Sequence, residues 1–107
     1  MLIVIDLTEA RVHLREPDEF SRFSVALEGE GDRRALERVL DDSGLGRLRD
    51  DGAHVVVDPA AVRALAGPAA DEAWEEGFSG MCAYAASKGW TEDDGVVAHI
   101  EPRDEMD

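Results

Sequence analysis

Apolar residues run unbroken through Leu2, Ile3, Val4 and Ile5. They occupy both parities of an extended chain, which predicts a strand covered on each side or central in a sheet. Val12-His13-Leu14 is a shorter alternation, cut off by Glu16-Pro17-Asp18. Further on, Phe23, Val25 and Leu27 alternate with Ser24, Ala26 and Glu28, so one face of that strand is buried and the other is mild and small. Gly29-Glu30-Gly31 ends it, and Asp32 is placed to cap a helix from Arg33 to about Ser43 with Ala35, Leu36, Val39 and Leu40 as its core stripe. Arg47-Leu48-Arg49, Asp51-Gly52 and His54-Val55-Val56-Val57 read as a hairpin, because Asp-Gly favours the turn whose twist matches paired strands. Asp58-Pro59 then starts a short helix with Val62 and Leu65 inward and Gly67 as its stop.

The longest periodic stretch is Pro68 to Trp90. At about 100° per residue, Ala70, Trp74, Gly77, Phe78, Met81, Tyr84 and Ala85 share one face. Glu72, Glu75, Glu76, Ser79, Ala83 and Ser87 lie opposite. Gly89 suits a left-handed cap, with Trp90 folding back onto the last turn. Two internal glycines each cost about 1 kcal/mol relative to alanine. Gly77, on the core face, suits close approach of a neighbour. Gly80 belongs with Ser79, Ala83 and Ser87 to a small-residue stripe that could accept a second molecule. Val96 to Ile100 is a last strand, and Pro102 ends it before an acidic tail, about 102–107, expected to fray. The order of strands and helices is not a regular βαβ alternation. It predicts one α+β domain over 1–107: a mostly antiparallel four- to five-stranded sheet with three helices packed on one face.

Composition narrows the partners. The chain has 107 residues, with 25 acidic against 11 basic ones and a formal net charge of -14. That balance argues against nucleic-acid backbones and anionic membrane surfaces, which need a basic footprint. Lys88 is the only lysine, and asparagine and glutamine are absent. This usage has the look of a high-GC genome, which makes part of the acidity a property of the source. A lone Cys82 fits a reducing compartment, and Met1 to Leu7 lacks the basic start and length of a signal peptide, so the expected location is cytoplasmic.

Each histidine sits between apolar neighbours: Val12-His13-Leu14, Ala53-His54-Val55 and Ala98-His99-Ile100. If the apolar residues face the helices, parity gathers His13, His54 and His99 on the other sheet face with Ser24, Ala26, Val56, Glu28 and Glu101. Such a set suits a ligand pocket with a histidine and carboxylate acid/base pair, or a group titrating near neutral pH. Parity leaves strand order open, and scattered structural histidines fit the same letters, so no metal and no cofactor are assigned. From Trp90 to Glu101, Glu92, Asp94, Gly95, Val97 and Glu101 match positions of a calcium loop, but Trp90 supplies no ligand oxygen where the first is required. Gly77-Phe78-Ser79-Gly80 lacks the spacing and the strand-to-helix setting of a nucleophile elbow. No phosphate loop, dinucleotide fingerprint or paired-cysteine motif occurs.

Phe78, Met81, Tyr84-Ala85, Gly89-Trp90 and Ala98-His99-Ile100-Glu101 together resemble small acidic α+β proteins of high-GC actinobacterial type that have no assigned function. The resemblance implies a cytoplasmic location and no particular chemistry. The expectation is a small binding or interaction protein, homodimeric or joined to another protein. Its surface would be Ser24, Ala26 and Val56 on the sheet or Ser79, Gly80, Ala83 and Ser87 on the long helix. The alternative is a small-ligand protein or enzyme whose pocket draws on His13, His54, His99, Glu28 and Glu101.

Overall fold

The computed structural model describes residues 1–93 and 95–101. Strands β1 (Leu2–Asp6), β2 (Arg11–Arg15) and β3 (Ser24–Glu28) come first, followed by helix α1 (Arg33–Ser43). The hairpin β4 (Gly46–Leu48) and β5 (His54–Val57) leads into α2 (Pro59–Ala66), a 3-10 turn over Gly67–Ala69 and the long α3 (Glu72–Ser87). A two-residue strand β6 (Thr91–Glu92) and β7 (Gly95–Ile100) complete the described elements. The acidic tail expected to fray lies outside the described residues.

The α+β class is as expected, but the sheet is larger and mixed. Its seven strands run in the order β2-β1-β3-β7-β5-β4, with β6 beside β7, and curve into a half-barrel. The β1–β3 and β3–β7 pairs are parallel, whereas β1–β2, β5–β7 and β4–β5 are antiparallel. The reason is topological. The connection 16–23 carries the chain back past the start of β1, so β3 begins beside Leu2 and runs the same way as β1.

Alternation then decides what meets the helices. Ile3, Ile5, Val25, Val55, Val57 and Ala98 form one buried cluster with Leu36, Val39 and Leu40 of α1, Val62 and Ala66 of α2, and Trp74, Phe78 and Met81 of α3. Burying each large side chain contributes about 1.5 to 3 kcal/mol. All three helices therefore serve the same face. On the other face Val4, between His13 and Ala26 in register, is still fully buried. The Arg15–Glu28 ion pair, 2.8 Å long, joins the rows on either side of it.

Helix α3 is shorter than the Pro68 to Trp90 stretch. Pro68 belongs to the 3-10 turn, and the carboxylate of Asp71 accepts the Trp74 backbone N–H at 2.9 Å, which sets the true N-terminus. Trp74 stacks on Phe78 with ring centroids 4.8 Å apart, and its indole N–H donates to the Pro17 carbonyl at 2.8 Å. Tyr84 departs from its expected inward position and is 58% exposed, with Lys88 over its ring. The C-terminus closes as expected. Gly89 has φ +79°, its N–H donates to Ala86 O at 3.1 Å, and the Trp90 N–H donates to Ala85 O at 2.8 Å.

The two helical glycines have opposite surroundings, so alanine should act oppositely at each. A Cβ at Gly77 would run into the Phe20 ring, which packs edge-on against Trp74. At Gly80 it would meet nothing within 4 Å. Gly77→Ala is expected to destabilise by about 1 to 2 kcal/mol, overpacking exceeding the helix-propensity gain. Gly80→Ala should stabilise by up to about 1 kcal/mol. Urea midpoints at unchanged slope would measure both; a destabilised Gly80→Ala would mean that this side of α3 is covered.

Candidate functional site

Along one edge β7 pairs continuously with β5, from His54↔His99 to Val57↔Val96. Along the other edge its partner changes. β6 pairs with its first two residues, and β3 takes over at Ser24↔His99 and Val25↔Ile100. At that change of partner a cleft of about 480 Å³ opens on the sheet face away from the helices. Phe23, just before β3, and Trp90, just before β6, line it, and His54 and His99 lie in its floor.

The histidines meet because their strands put them in register. His54 and His99 are opposite one another, their rings edge-to-face with centroids 5.4 Å apart. The Asp51-Gly52 turn positions the first of them. One oxygen of Asp51 accepts the Ala53 N–H at 2.8 Å, and the other lies 2.8 Å from Nδ1 of His54. An ionised carboxylate only accepts, so Nδ1 carries the proton and Nε2 is left to the cleft. The Ala53 N–H first, then the His54 ring, hold the Asp51 carboxyl below its ordinary range. Ser24, the other register partner of His99, donates its hydroxyl to Glu101 at 2.7 Å.

The charged side of the cleft is Arg49 and Glu92. Glu92 is held by two guanidiniums, a close contact with Arg47 and a 3.4 Å pair with Nε of Arg49. Arg47 also reaches Asp93 at 2.9 Å. Trp90 is fixed from both sides through its backbone, by the cap to Ala85 and by the Val97 N–H donating to its carbonyl at 2.9 Å. Its side chain is nonetheless half exposed, packed edge-to-face on Tyr84 at 6.0 Å.

Of the residues expected in a pocket, His54 and His99 come together, Glu101 lies outside the cleft lining with Ser24, and two stay farther apart. His13 stands on β2, three strand spacings from β7, roughly 14 Å. Glu28 is engaged with Arg15. Of the expected interaction surface, Ser24 and Ala26 are half-buried and Val56 is buried, whereas Ser79, Gly80, Ala83 and Ser87 are all exposed on α3. Sequence reasoning did not assign Arg49, Asp51, Phe23 or Trp90 to the site. The parity of Arg49 across the hairpin and the Asp-Gly turn three residues before His54 were the available signals.

Other chemistry is less favoured. Burial pushes the half-buried Cys82 thiol up, partly offset by Arg63, which keeps it protonated and poorly nucleophilic. Among the described residues no group of three or more histidine, cysteine or carboxylate side chains could hold a metal ion. No helix among them is long and apolar enough to cross a membrane. Comparison with protein-family models, with curated proteins and with solved structures finds no match.

The Asp51 geometry fixes a pH dependence. A carboxyl depressed in the folded chain adds stability above its unfolded pKa, and that stability is lost as pH falls through the folded value. In a ¹³C titration the Asp51 carboxyl should therefore have its midpoint below 3.8. In His54→Ala it should rise yet stay depressed, because the Ala53 N–H remains. An unchanged midpoint in that variant would remove the Asp51–His54 interaction.

Proposed function

We propose that this chain is a small-ligand-binding protein whose site is the cleft between Phe23 and Trp90. The observation that carries the reading is the convergence of His54 and His99 in the floor of a concavity of about 480 Å³. That size falls within the usual range for small-molecule sites, and a few polar groups among aromatic and apolar walls is their usual composition. The Asp51-oriented imidazole also gives the site a group able to accept or deliver a proton at Nε2, so acid/base chemistry on a bound ligand is within its means. Cys82, single and protonated, fits a reducing compartment, which supports a cytoplasmic location.

A thermal-shift screen against common metabolites, repeated with His54→Ala and His99→Ala, tests this reading. A compound present at a hundred times its dissociation constant stabilises by about 2.7 kcal/mol. For a domain of this size that is roughly 10 °C or more. The shift should vanish in both variants; a shift that survives both would place binding elsewhere.

A second reading has its own observation. Tyr84 and Trp90 are large apolar side chains at 58% and 50% exposure, on the same helix end as the stripe of Ser79, Gly80, Ala83 and Ser87. This patch supports self-association through α3. Sedimentation should then show a dimer that Tyr84→Ser weakens by roughly tenfold or more. A monomer at every concentration would eliminate it.

A further inference from the structure

The cleft differs in charge from the molecule that carries it. Over the whole chain carboxylates exceed basic side chains by far, giving -14. Among the described residues of the lining, Glu92 is the one carboxylate and Arg49 the one guanidinium, and Arg47 also holds Glu92. Arg49 meets Glu92 through Nε at 3.4 Å and helps to depress the Asp51 carboxyl, and among the described residues its two terminal nitrogens make no hydrogen bond. Its fork therefore remains open toward the cleft, on the side where Nε2 of His54 is also uncommitted. A guanidinium fork matches the two oxygens of a carboxylate.

The opposite side is built for a ring. Trp90 is anchored by backbone hydrogen bonds at both its N–H and its carbonyl while half its indole surface faces outward. Phe23 is the second aromatic wall. A fixed, exposed indole offers a π face at little cost in side-chain freedom, and flat rings pack against it offset or edge-on. The cleft thus presents a donor pole at Arg49 and an aromatic pole at Trp90 and Phe23.

Electrostatics over the whole molecule then limits the charge of the occupant. The field of a strongly acidic protein opposes every incoming anion, and opposes a dianion about twice as strongly as a monoanion. Arg49 and Glu92 cancel within the lining, so every negative charge an occupant brings is opposed by that field, and a single charge is opposed least. From these observations, and resting on the cleft reading above, we infer that the site takes a small aromatic monocarboxylate, its ring against Trp90 and its carboxylate on Arg49.

Benzoate, benzamide, acetate and phenyl phosphate separate the parts of this inference. ¹H–¹⁵N NMR titrations would follow the Trp90 indole N–H and the His54 and His99 rings. Benzoate should perturb all three, with benzamide and acetate each binding roughly tenfold or more weakly, and with phenyl phosphate no tighter than benzoate. Arg49→Gln should bring benzoate down to the level of benzamide and leave benzamide unchanged, while Arg49→Lys keeps part of the preference. Should Arg49→Gln lose its dispersed spectrum, the Arg49→Lys comparison and the four wild-type affinities still decide. Benzamide binding as tightly as benzoate, an unaltered benzoate affinity in a folded Arg49→Gln, or a preference for phenyl phosphate would each overturn the carboxylate assignment. The cleft reading would survive those results. If none of the four compounds moves Trp90 or the histidines, the carboxylate inference falls, and the metabolite screen with the histidine variants decides the fate of the cleft itself.

Discussion

Strand β7 must satisfy hydrogen-bonding groups along both of its edges, and the way it does so determines most of the molecule. One edge takes β5 without interruption; the other takes β6 and then β3. Through β7 the three N-terminal strands and the β4–β5 hairpin become one sheet. Without that insertion β3 and β5 would each expose an unpaired edge, and the apolar surfaces of the three helices would have no continuous floor. The same register sets Ser24, His99 and His54 side by side. Histidine convergence is thus a by-product of how the sheet is joined, and it follows directly from the pairing.

The face away from the helices is divided into two unlike halves. Over β1 the fully buried Val4 lies between rows joined by the Arg15–Glu28 pair, so little apolar surface is offered there. Over β7 and β5 the surface instead dips, because β6 is only two residues long and the switch to β3 leaves room between Trp90 and Phe23. Polar groups are arranged differently in each half. Glu28 is matched to a single arginine, whereas Glu92 joins Arg47, Arg49 and Asp93 in a small ion-pair network at the cleft rim.

Local features of the fold were readable in the sequence. The caps at Asp32 and Asp58 use side-chain oxygens on backbone N–H groups two or three residues on, and the Asp51-Gly52 turn joins β4 to β5. Each is settled by a few neighbouring residues. The double-sided apolarity of Leu2 to Ile5 also foretold a strand paired on both edges. Strand partners were not readable, because parallel pairing of β1 with β3 and of β3 with β7 depends on segments far apart that carry no turn signal between them. Sequence pattern alone therefore undercounts the strands and makes the sheet mostly antiparallel. Tyr84 misleads for a related reason: helical periodicity gives the direction of a side chain but not whether anything covers it, and the Tyr84 ring packs against Trp90 and Lys88 while staying largely exposed. In the site, parity put His54 and His99 on the correct face and did equally for His13, which strand order then carried away.

Pairing β3 with β7 joins Ser24 to His99 across most of the chain. A contact of such sequence separation costs loop entropy before it returns any stabilisation, so it belongs to the slow, late part of folding. The cleft is built on that contact. Its walls come from segments before β3 and after α3, and its floor from strands on either side of both helices α2 and α3. A partly opened chain that has released β7 keeps no remnant of the cavity, whatever helices it retains. Occupancy of the cleft would therefore be coupled to opening of the whole cooperative unit and not to fraying at its margins, and hydrogen exchange in the core strands, remote from any ligand, should register binding as strongly as the amides that touch it.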